Sequence, residues 1–435
     1  MPDTQQRSDS QLRNLIRTEI AGHDVQQLAA EFGTPVYVYD AATIAQRIAD
    51  LAQFDVVRYA QKACSNLAII DLVRRNGALV DSVSAGEIRR ALAAGYSPQG
   101  EPPPIVYTAD IFDRASLDLV VQHDVHVNCG SIDMIEQLGE RAPGRNITLR
   151  INPGFGHGHS QKTNTGGESS KHGIWHERLG LACGRAEYRG LSVTGVHVHI
   201  GSGTDMEHLA QVCGAVEKFA TEVGRSVTSI SAGGGLPIRY TEDDSSIDIA
   251  AYYALWDQTR NRLQDAFGHD VRLEIEPGRY ISAESGYLVT EVRAVKQIGD
   301  RTFYLVDAGF NNLARPVMYG AYHPISMAPV GDPASRPLQE AVVGGPLCES
   351  GDIFTQREGG YVCTRTLPAA QVGDMLVIEC AGAYGFAMSS NYNSKPLAAE
   401  VLLSDGHPHL VRRRQTFDDI IRGEQIPAHA AGGGK

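Results

Sequence analysis

Short apolar runs rich in β-branched residues recur along the first two thirds of the chain, and turn-forming residues bound each run. Segments with the periodicity of an amphipathic helix lie between most of these runs. In the segment from Asn66 to Asn76, for example, Leu67, Ile70 and Val73 share one face. Strands that alternate with helices predict parallel pairing and right-handed crossovers. The predicted strands are Val56–Ala60, Leu79–Val83, Ile105–Thr108, Val125–Asn128, Ile147–Asn152, Val193–Ile200, Ser226–Ser231 and Val271–Ile275. The pattern therefore predicts an α/β fold, a (β/α)8 TIM-type barrel, at residues 43–282.

Beyond Pro277 the short apolar runs continue without amphipathic helices between them, which predicts a mainly antiparallel β domain at residues 283–421. The segment Pro35–Tyr39 reads as a strand without a helix to pair it with the barrel. We therefore expect residues 25–42 to join the β domain and make it discontinuous. Residues 422–435 end in a stretch rich in Ala and Gly, typical of a mobile tail. The predicted strands are Tyr287–Val295, Thr302–Val306, Glu340–Val343, Met375–Glu379 and Val401–Leu403.

Composition excludes several classes of protein. The chain has 435 residues, of which 42% are hydrophobic and 21% charged, and this indicates a globular protein of two or three domains. Lys and Arg number 39 against 51 Asp and Glu, a net charge of −12 that disfavours nucleic acid and anionic membranes as partners. No secretory signal begins the chain, and no apolar run of about 18 residues occurs. Seven cysteines without a C-x-x-C pair fit a reducing compartment, so we expect the cytoplasm.

Charged residues, which are costly to bury, and glycines, which allow unusual backbone conformations, follow several predicted barrel strands. They lie at the end where such barrels build their active sites. Lys62 follows the first strand and Asp81 lies at the second. Lys62 could form a Schiff base through a desolvated amine, or it could extend to solvent at a strand end. The run Gly233-Gly234-Gly235 follows the seventh strand and could approach a phosphate or form a tight turn. Glu276 follows the eighth strand, three residues before Arg279, with which it could form a local ion pair.

His197 and His199 fall on the same face of the sixth strand. With His157, His159 and His172 they raise the possibility of zinc, but no Glu or Cys completes a metal-ligand spacing. A satisfied core histidine is the simpler interpretation, and we expect no metal. The third interpretation is an imidazole stacked on an aromatic cofactor. One hypothesis explains the residues together: a phosphorylated aldehyde held by a lysine, glycines, a histidine and a glutamate.

Seven short motifs in one order cover about residues 25–420 and carry a family resemblance. They are Tyr59-Ala-Gln-Lys62-Ala, Asp81-Ser-Val-Ser-Ala-Gly-Glu87, His199-Ile-Gly-Ser202-Gly, Gly233-Gly-Gly235, Glu276-Pro-Gly-Arg279, Cys348-Glu349-Ser-Gly-Asp352 and Gly382-Ala-Tyr384. Together they resemble the barrel-type (fold type III) pyridoxal-phosphate decarboxylases. The segments 151–159, 169–174 and 315–319 resemble the bacterial branch that acts on meso-2,6-diaminopimelate.

The resemblance implies a set of site residues and pyridoxal 5'-phosphate as cofactor. Lys62 would bond to the cofactor aldehyde, His199 would stack on its ring, and Cys348 or a water would return a proton to Cα. The implied cofactor-binding residues are Lys62, Asp81, His199, Ser202, Gly233, Gly234, Gly235, Glu276, Gly278, Arg279 and Tyr384. The implied substrate-binding residues are Arg279, Arg315, Tyr319, Glu349 and Tyr384. In the family the site lies at a homodimer interface, which Cys348 and Glu349 enter from the partner.

The implied activity is decarboxylation of meso-2,6-diaminopimelate to L-lysine and CO2, the last step of bacterial lysine synthesis. A glutamate at the ring nitrogen favours decarboxylation over racemisation, because it keeps that nitrogen protonated. The alternatives are a decarboxylase of lysine, ornithine or arginine, a noncatalytic pyridoxal-phosphate barrel, and a zinc hydrolase. Arg315 with Tyr319 counts against the basic amino acids, because a guanidinium would face a cationic chain. The loop from Gly154 to Gly173 is expected to close over the substrate.

Overall fold

The computed structural model describes residues 15–156, 166–199, 206–332 and 336–427. The chain divides into two compact units. The barrel unit comprises residues 40–287 and 380–387, and the β unit comprises the residues up to 39, 288–379 and those from 388 onward. Residues 428–435 of the predicted tail lie outside the described residues.

Eight parallel strands form a closed ring in the barrel unit, because each pairs with the next and the eighth pairs with the first. The strands are β1 (Val56–Ala60), β2 (Leu79–Ser82), β3 (Ile105–Ala109), β4 (His126–Cys129), β5 (Asn146–Asn152), β6 (Ser192–His197), β7 (Ser229–Ser231) and β8 (Arg272–Ile275). The predicted (β/α)8 barrel is confirmed, and every predicted strand overlaps an observed one. A short strand, Ile174–Trp175, pairs parallel with the end of β5.

Helices separate the barrel strands, and polar side chains define where they begin. The side chain of Asn66 accepts from the N–H of Ala68, and that of Ser84 accepts from the N–H of Glu87. The helices of the unit are Ala41–Ala49, Leu67–Arg75, Ala85–Ala93, Arg114–His123, Ile132–Arg141, Leu179–Tyr188, Met206–Val223, Ile249–Phe267 and Arg279–Ser282. Within the described ranges, no helix is both long and apolar enough to cross a membrane.

The β unit contains a mixed sheet in which most neighbouring strands run antiparallel. The N-terminal strand Val36–Asp40 lies in this sheet between Gly286–Ile298 and Ala399–Ser404, so the predicted discontinuity is confirmed. One pair, Arg301–Val306 with Leu338–Gly344, is parallel. The remaining strands of the unit are Glu19–Ile20, His23–Asp24, Ile325–Ala328, Gln356–Arg357, Tyr361–Val362, Arg365–Pro368, Met375–Ile378 and His407–Arg412. Its helices are Val25–Phe32, Arg315–Tyr319 and Phe417–Ile421.

Candidate active site

Glu276 is the buried carboxylate that directly follows β8, and three other barrel strands supply its hydrogen-bond partners. His197 Nε2 lies 2.7 Å from Glu276 Oε2. Asn128 Nδ2 and Ser231 Oγ donate to Oε1 at 3.3 and 3.4 Å. Burial on its own would raise the pKa of Glu276, but the charge and hydrogen bond of His197 bring that pKa below its usual range. Glu276 is therefore an ionised carboxylate at the carboxyl end of the barrel.

Asp81, near the end of β2, is another buried carboxyl group at this end of the barrel. We call the buried polar side chains around Glu276 and Asp81 the Glu276 layer. Burial and the negative charge of Glu276 raise its pKa to about 6, against the opposing influence of Lys62 and a hydrogen bond from Thr108. Asp81 Oδ1 has no hydrogen-bond partner among the described residues. The Lys62 side chain itself is exposed, as in the second of the two interpretations of its position, an amine that extends to solvent at the end of a strand.

His199 follows β6 and packs against the glycine run. The N–H of Gly234 donates to His199 Nδ1 at 3.1 Å. Burial, and next the charge of Lys62, hold the pKa of His199 well below its usual range, in agreement with an unprotonated Nδ1 that accepts this bond. A Cβ at Gly234 would lie 2.6 Å from the carbonyl oxygen of Glu276, and Gly233 has a φ of +63°. Only glycine fits this turn, and without side chains the backbone N–H groups of the turn can be approached closely by a ligand.

Arg279, Gly278 and Tyr384 lie together in the barrel unit. Gly278 caps the short helix that Arg279 begins. The Arg279 guanidinium lies 5.5 Å from the centre of the Tyr384 ring, and its Nη1 donates to the Tyr240 hydroxyl at 2.9 Å. The backbone N–H of Tyr384 donates to the carbonyl of Ala63, next to Lys62.

Four of the remaining predicted site residues, Arg315, Tyr319, Cys348 and Glu349, belong to the β unit. Arg315 begins the helix Arg315–Tyr319 and is buried, with Nη1 2.9 Å from His323 Nε2. Tyr319, at the other end of this helix, is half-buried. Cys348 and Glu349 are exposed. Predicted residues Ser202, His157 and His159 lie outside the described residues.

The described histidines of the predicted metal group, His172, His197 and His199, have partners other than a metal. His197 contacts Glu276, and His172 Nδ1 lies 2.5 Å from Asp110 Oδ2. In the ranges that the structure describes, no group of three or more His, Cys, Asp or Glu residues could hold a metal ion. Asp110 also accepts from the N–H of Gly173, so the return end of the predicted loop is bound to the end of β3. Residues 157–165 of that loop lie outside the described residues, and its closure stays a prediction.

Sequence reasoning missed three polar residues of the Glu276 layer. Asn128 is the penultimate residue of β4 and Ser231 is the last residue of β7, while Thr108 accepts from Asn128 Nδ2 at 2.8 Å. Their signal was available, because each is a polar residue at the carboxyl end of a predicted strand, the criterion that identified Asp81. His197 was assigned as a core histidine, and its contact with Glu276 could not be read from local spacing.

The barrel residues fit a phosphorylated pyridine aldehyde. An ionised, buried carboxylate suits a protonated ring nitrogen. The glycine turn exposes backbone N–H groups that suit a phosphate, and Lys62 offers an accessible amine. Two buried polar atoms of the layer, Asp81 Oδ1 and His197 Nδ1, have no partner among the described residues. Two buried polar atoms without a partner agree with a bound polar group that completes the site.

Comparisons with known proteins agree with this description. Residues 42–283 match the family "Pyridoxal-dependent decarboxylase, pyridoxal binding domain". Diaminopimelate decarboxylase of Escherichia coli K12 is 55% identical over 407 residues, which cover 93% of this chain and 97% of the relative. A crystal structure of a diaminopimelate decarboxylase is similar with a TM-score of 0.89 and 55% identity, covering 92% of this chain and 95% of its own. The Helicobacter pylori diaminopimelate decarboxylase, solved with L-lysine, has a TM-score of 0.82 and 30% identity, covering 92% and 98%.

Proposed function

The chain belongs to the pyridoxal-dependent decarboxylases, and we propose from this membership that it removes one carboxyl group of meso-2,6-diaminopimelate. The products are L-lysine and CO2, and the enzyme is a carboxy-lyase. The names of the similar enzymes support this substrate, as does the lysine bound in the Helicobacter pylori structure. The observation that carries the chemistry is the buried, ionised Glu276 at the carboxyl end of a barrel that matches a pyridoxal-binding domain.

Pyridoxal 5'-phosphate is the cofactor, and when bound it draws into its ring the electron pair that departing CO2 leaves at Cα. Lys62 would hold the cofactor covalently through its aldehyde and would free the product, while Glu276 would lie at the ring nitrogen and His199 against the ring. The neutral state of His199 suits this contact, because an imidazolium there would repel the protonated ring. The other cofactor-binding residues are Asp81, Ser202, Gly233, Gly234, Gly235, Gly278, Arg279 and Tyr384.

The substrate carries an ammonium and a carboxylate at the end remote from the reaction, so its pocket requires both signs of charge. Arg315 and Arg279 bind the carboxylate and Glu349 binds the ammonium, with Tyr319 and Tyr384 beside them. Burial of Arg315 supports this role, because a desolvated guanidinium discriminates strongly between substrates with and without a matching carboxylate. A basic amino acid without that carboxylate would fit poorly.

The active form is a cytoplasmic homodimer in which each site uses residues of both chains. Cys348 and Glu349 enter the partner's site, and Cys348 Sγ returns the proton to Cα. Their exposure supports this arrangement, as do the exposed apolar residues Val317 and Met318 on the helix that bears Arg315. All seven cysteines are free thiols, which supports a reducing compartment.

The proposed function is tested by cofactor absorbance and by release of CO2 from meso-diaminopimelate. The purified protein should be yellow when loaded with pyridoxal phosphate, and borohydride should fix the cofactor to the chain. Lys62→Ala should lose this fixation. The control is Lys218→Ala, which removes another exposed lysine of the barrel unit, on the helix Met206–Val223. A Lys62→Ala protein that still becomes covalently labelled would contradict the assignment of Lys62.

A further inference from the structure

The structure places His197 against Glu276 in a way that the cofactor site alone does not require. His197 ends β6, Glu276 follows β8, and the strand between them, β7, supplies Ser231. The 2.7 Å contact between His197 Nε2 and Glu276 Oε2 is shorter than the contacts from Asn128 and Ser231 to Oε1. Both partners are fully or nearly fully buried, so this hydrogen bond acts with little screening by solvent.

We propose that His197, assisted by Asn128 and Ser231, is a positioning residue that keeps Glu276 ionised and oriented toward the cofactor ring nitrogen. This inference rests on the proposed function, because it concerns the nitrogen of the bound cofactor. His197 acts through Glu276 and is not itself a catalytic residue. The three donors share the two carboxylate oxygens between them, which fixes the plane of the carboxylate as well as its charge.

Charged groups from other strands also act on Glu276, and they do not account for its ionisation without His197. Asp81 on β2 and Glu274 on β8 are carboxyl groups whose charges oppose ionisation of Glu276. Arg58 on β1 favours ionisation, but its Nε is bonded to Glu274 at 2.6 Å. Lys62 acts on the neighbouring Asp81. After burial, His197 is the largest influence on Glu276, and its direct contact makes it the group to test.

A polar cavity of about 110 Å³ lies on the far side of this layer and supplies an alternative explanation. Asn128 and Ser231 line it, together with Arg58, Glu274 and His126. A cavity of this size and polarity has room for water, and water bonded to Asn128 and Ser231 could stabilise Glu276 through these two donors without any contribution from His197. The two explanations differ in what happens when the imidazole is removed, because the cavity residues stay in place.

The experiment measures the protonation of the ring nitrogen directly, by ¹⁵N NMR of protein loaded with ¹⁵N-labelled pyridoxal phosphate. In the unmodified protein the ring nitrogen should be protonated at neutral pH. His197→Leu removes the donor, so the proton should move toward Glu276 and the ¹⁵N signal should shift toward neutral pyridine. His197→Gln keeps an N–H donor and should restore most of the original signal. Loss of the protonated ring should lower kcat by at least about tenfold with a much smaller change in KM.

The matched control is His126→Leu, which removes another histidine of the barrel strands, a half-buried one on β4. His126 Nε2 bonds to Thr148 Oγ1 at 2.9 Å, and burial lowers its pKa to about 4, so it is neutral at pH 7. This variant should leave the ring signal unchanged. Asn128→Ala removes a weaker donor to Glu276 and should shift the signal in the same direction as His197→Leu, by a smaller amount. It also serves as the test if His197→Leu does not fold.

An unchanged ¹⁵N signal in the folded variants would overturn the proposal and leave the cavity water as the cause of ionisation. An equal shift in His126→Leu would also overturn it, since the effect would then be general to the barrel interior. An unmodified protein that neither binds the cofactor nor acts on meso-diaminopimelate would refute the proposed function itself. Normal activity of the unmodified protein combined with unchanged variants would refute only the role of His197.

Discussion

Replacement of Arg315 by alanine tests the choice of substrate, because Arg315 belongs to the β unit, whereas Lys62 and Glu276 belong to the barrel unit. Arg315 is 6% exposed, and its Nη1 donates to His323 Nε2. His323 Nδ1 lies 2.9 Å from the carbonyl oxygen of Glu379, so it carries the ring proton and Nε2 is the acceptor. A neutral His323 imidazole therefore orients the Arg315 side chain, and the guanidinium keeps its positive charge.

The size of the effect follows from this burial. Two unit charges about 4 Å apart interact with roughly 4 kcal/mol at the effective dielectric constant of about 20 that describes protein sites. Leaving one member of a desolvated pair without its partner costs roughly 2–5 kcal/mol. Since about 1.4 kcal/mol corresponds to a factor of ten, a substrate without the remote carboxylate should lose at least about tenfold in kcat/KM. Arg315→Ala should lose a similar factor on meso-diaminopimelate.

The assay compares kcat/KM for meso-diaminopimelate, L-lysine and L-ornithine in the unmodified enzyme and in Arg315→Ala. Cofactor absorbance should be the same in both proteins, which separates a lost substrate contact from a damaged cofactor site. Arg293→Ala is the control, because it removes an exposed arginine of the same unit that pairs with Glu291. Comparable kcat/KM for lysine and diaminopimelate in the unmodified enzyme would refute the reasoning and favour a decarboxylase of basic amino acids.

Two further predictions concern assembly and stability. Lys62→Ala and Cys348→Ala chains, each nearly inactive alone, should regain partial activity when mixed, because one hybrid site is intact; no recovery after verified subunit exchange would contradict shared sites. Arg58→Ala should lower the free energy of unfolding in urea by roughly 3–5 kcal/mol, because it leaves the buried Glu274 carboxylate without its 2.6 Å partner. Burial alone would raise the pKa of Glu274, but Arg58 and Arg272 bring it to about 2. The ion pair therefore stabilises the folded state fully above the usual pKa of a glutamate, and this stabilisation is lost as the pH falls toward 2. In Arg58→Ala the pKa of Glu274 should rise toward or above its usual value, so this acid loss should become smaller, and an unchanged acid profile would contradict the role of the pair.

Most of the barrel could be predicted because its signals are local. Each parallel strand is covered on both faces, so the run of apolar residues is continuous and stands out in the sequence. The β unit was harder to read. His407–Arg412 was not predicted because it is an edge strand with no buried side chain, and Ile325–Ala328 was not predicted because Pro324 and Pro329 bound it and are typical of a loop.

Within the site, position was predictable and pairing was not. Lys62 and Glu276 could be found because each is a polar or charged residue at the end of an apolar run. The partner of His197 is Glu276, 79 residues further along the chain. Closure of the barrel brings them together, and nothing in the spacing of His197 and His199 distinguishes a histidine that bonds a carboxylate from one that fills the core.

Asp81 and Glu276 lie in the same buried layer, and their surroundings change their pKa values in opposite directions. Two carboxylates so close cannot both ionise freely, so whichever has the stronger donors takes the charge. Glu276 has three described donors and Asp81 receives one bond, from Thr108, which in turn accepts from Asn128. The chain of Thr108 and Asn128 thus bridges the two carboxyl groups. Of the two carboxyl groups, Asp81 is therefore the one that holds its proton to higher pH, and Glu276 is the one that carries the negative charge, because His197 stabilises its carboxylate.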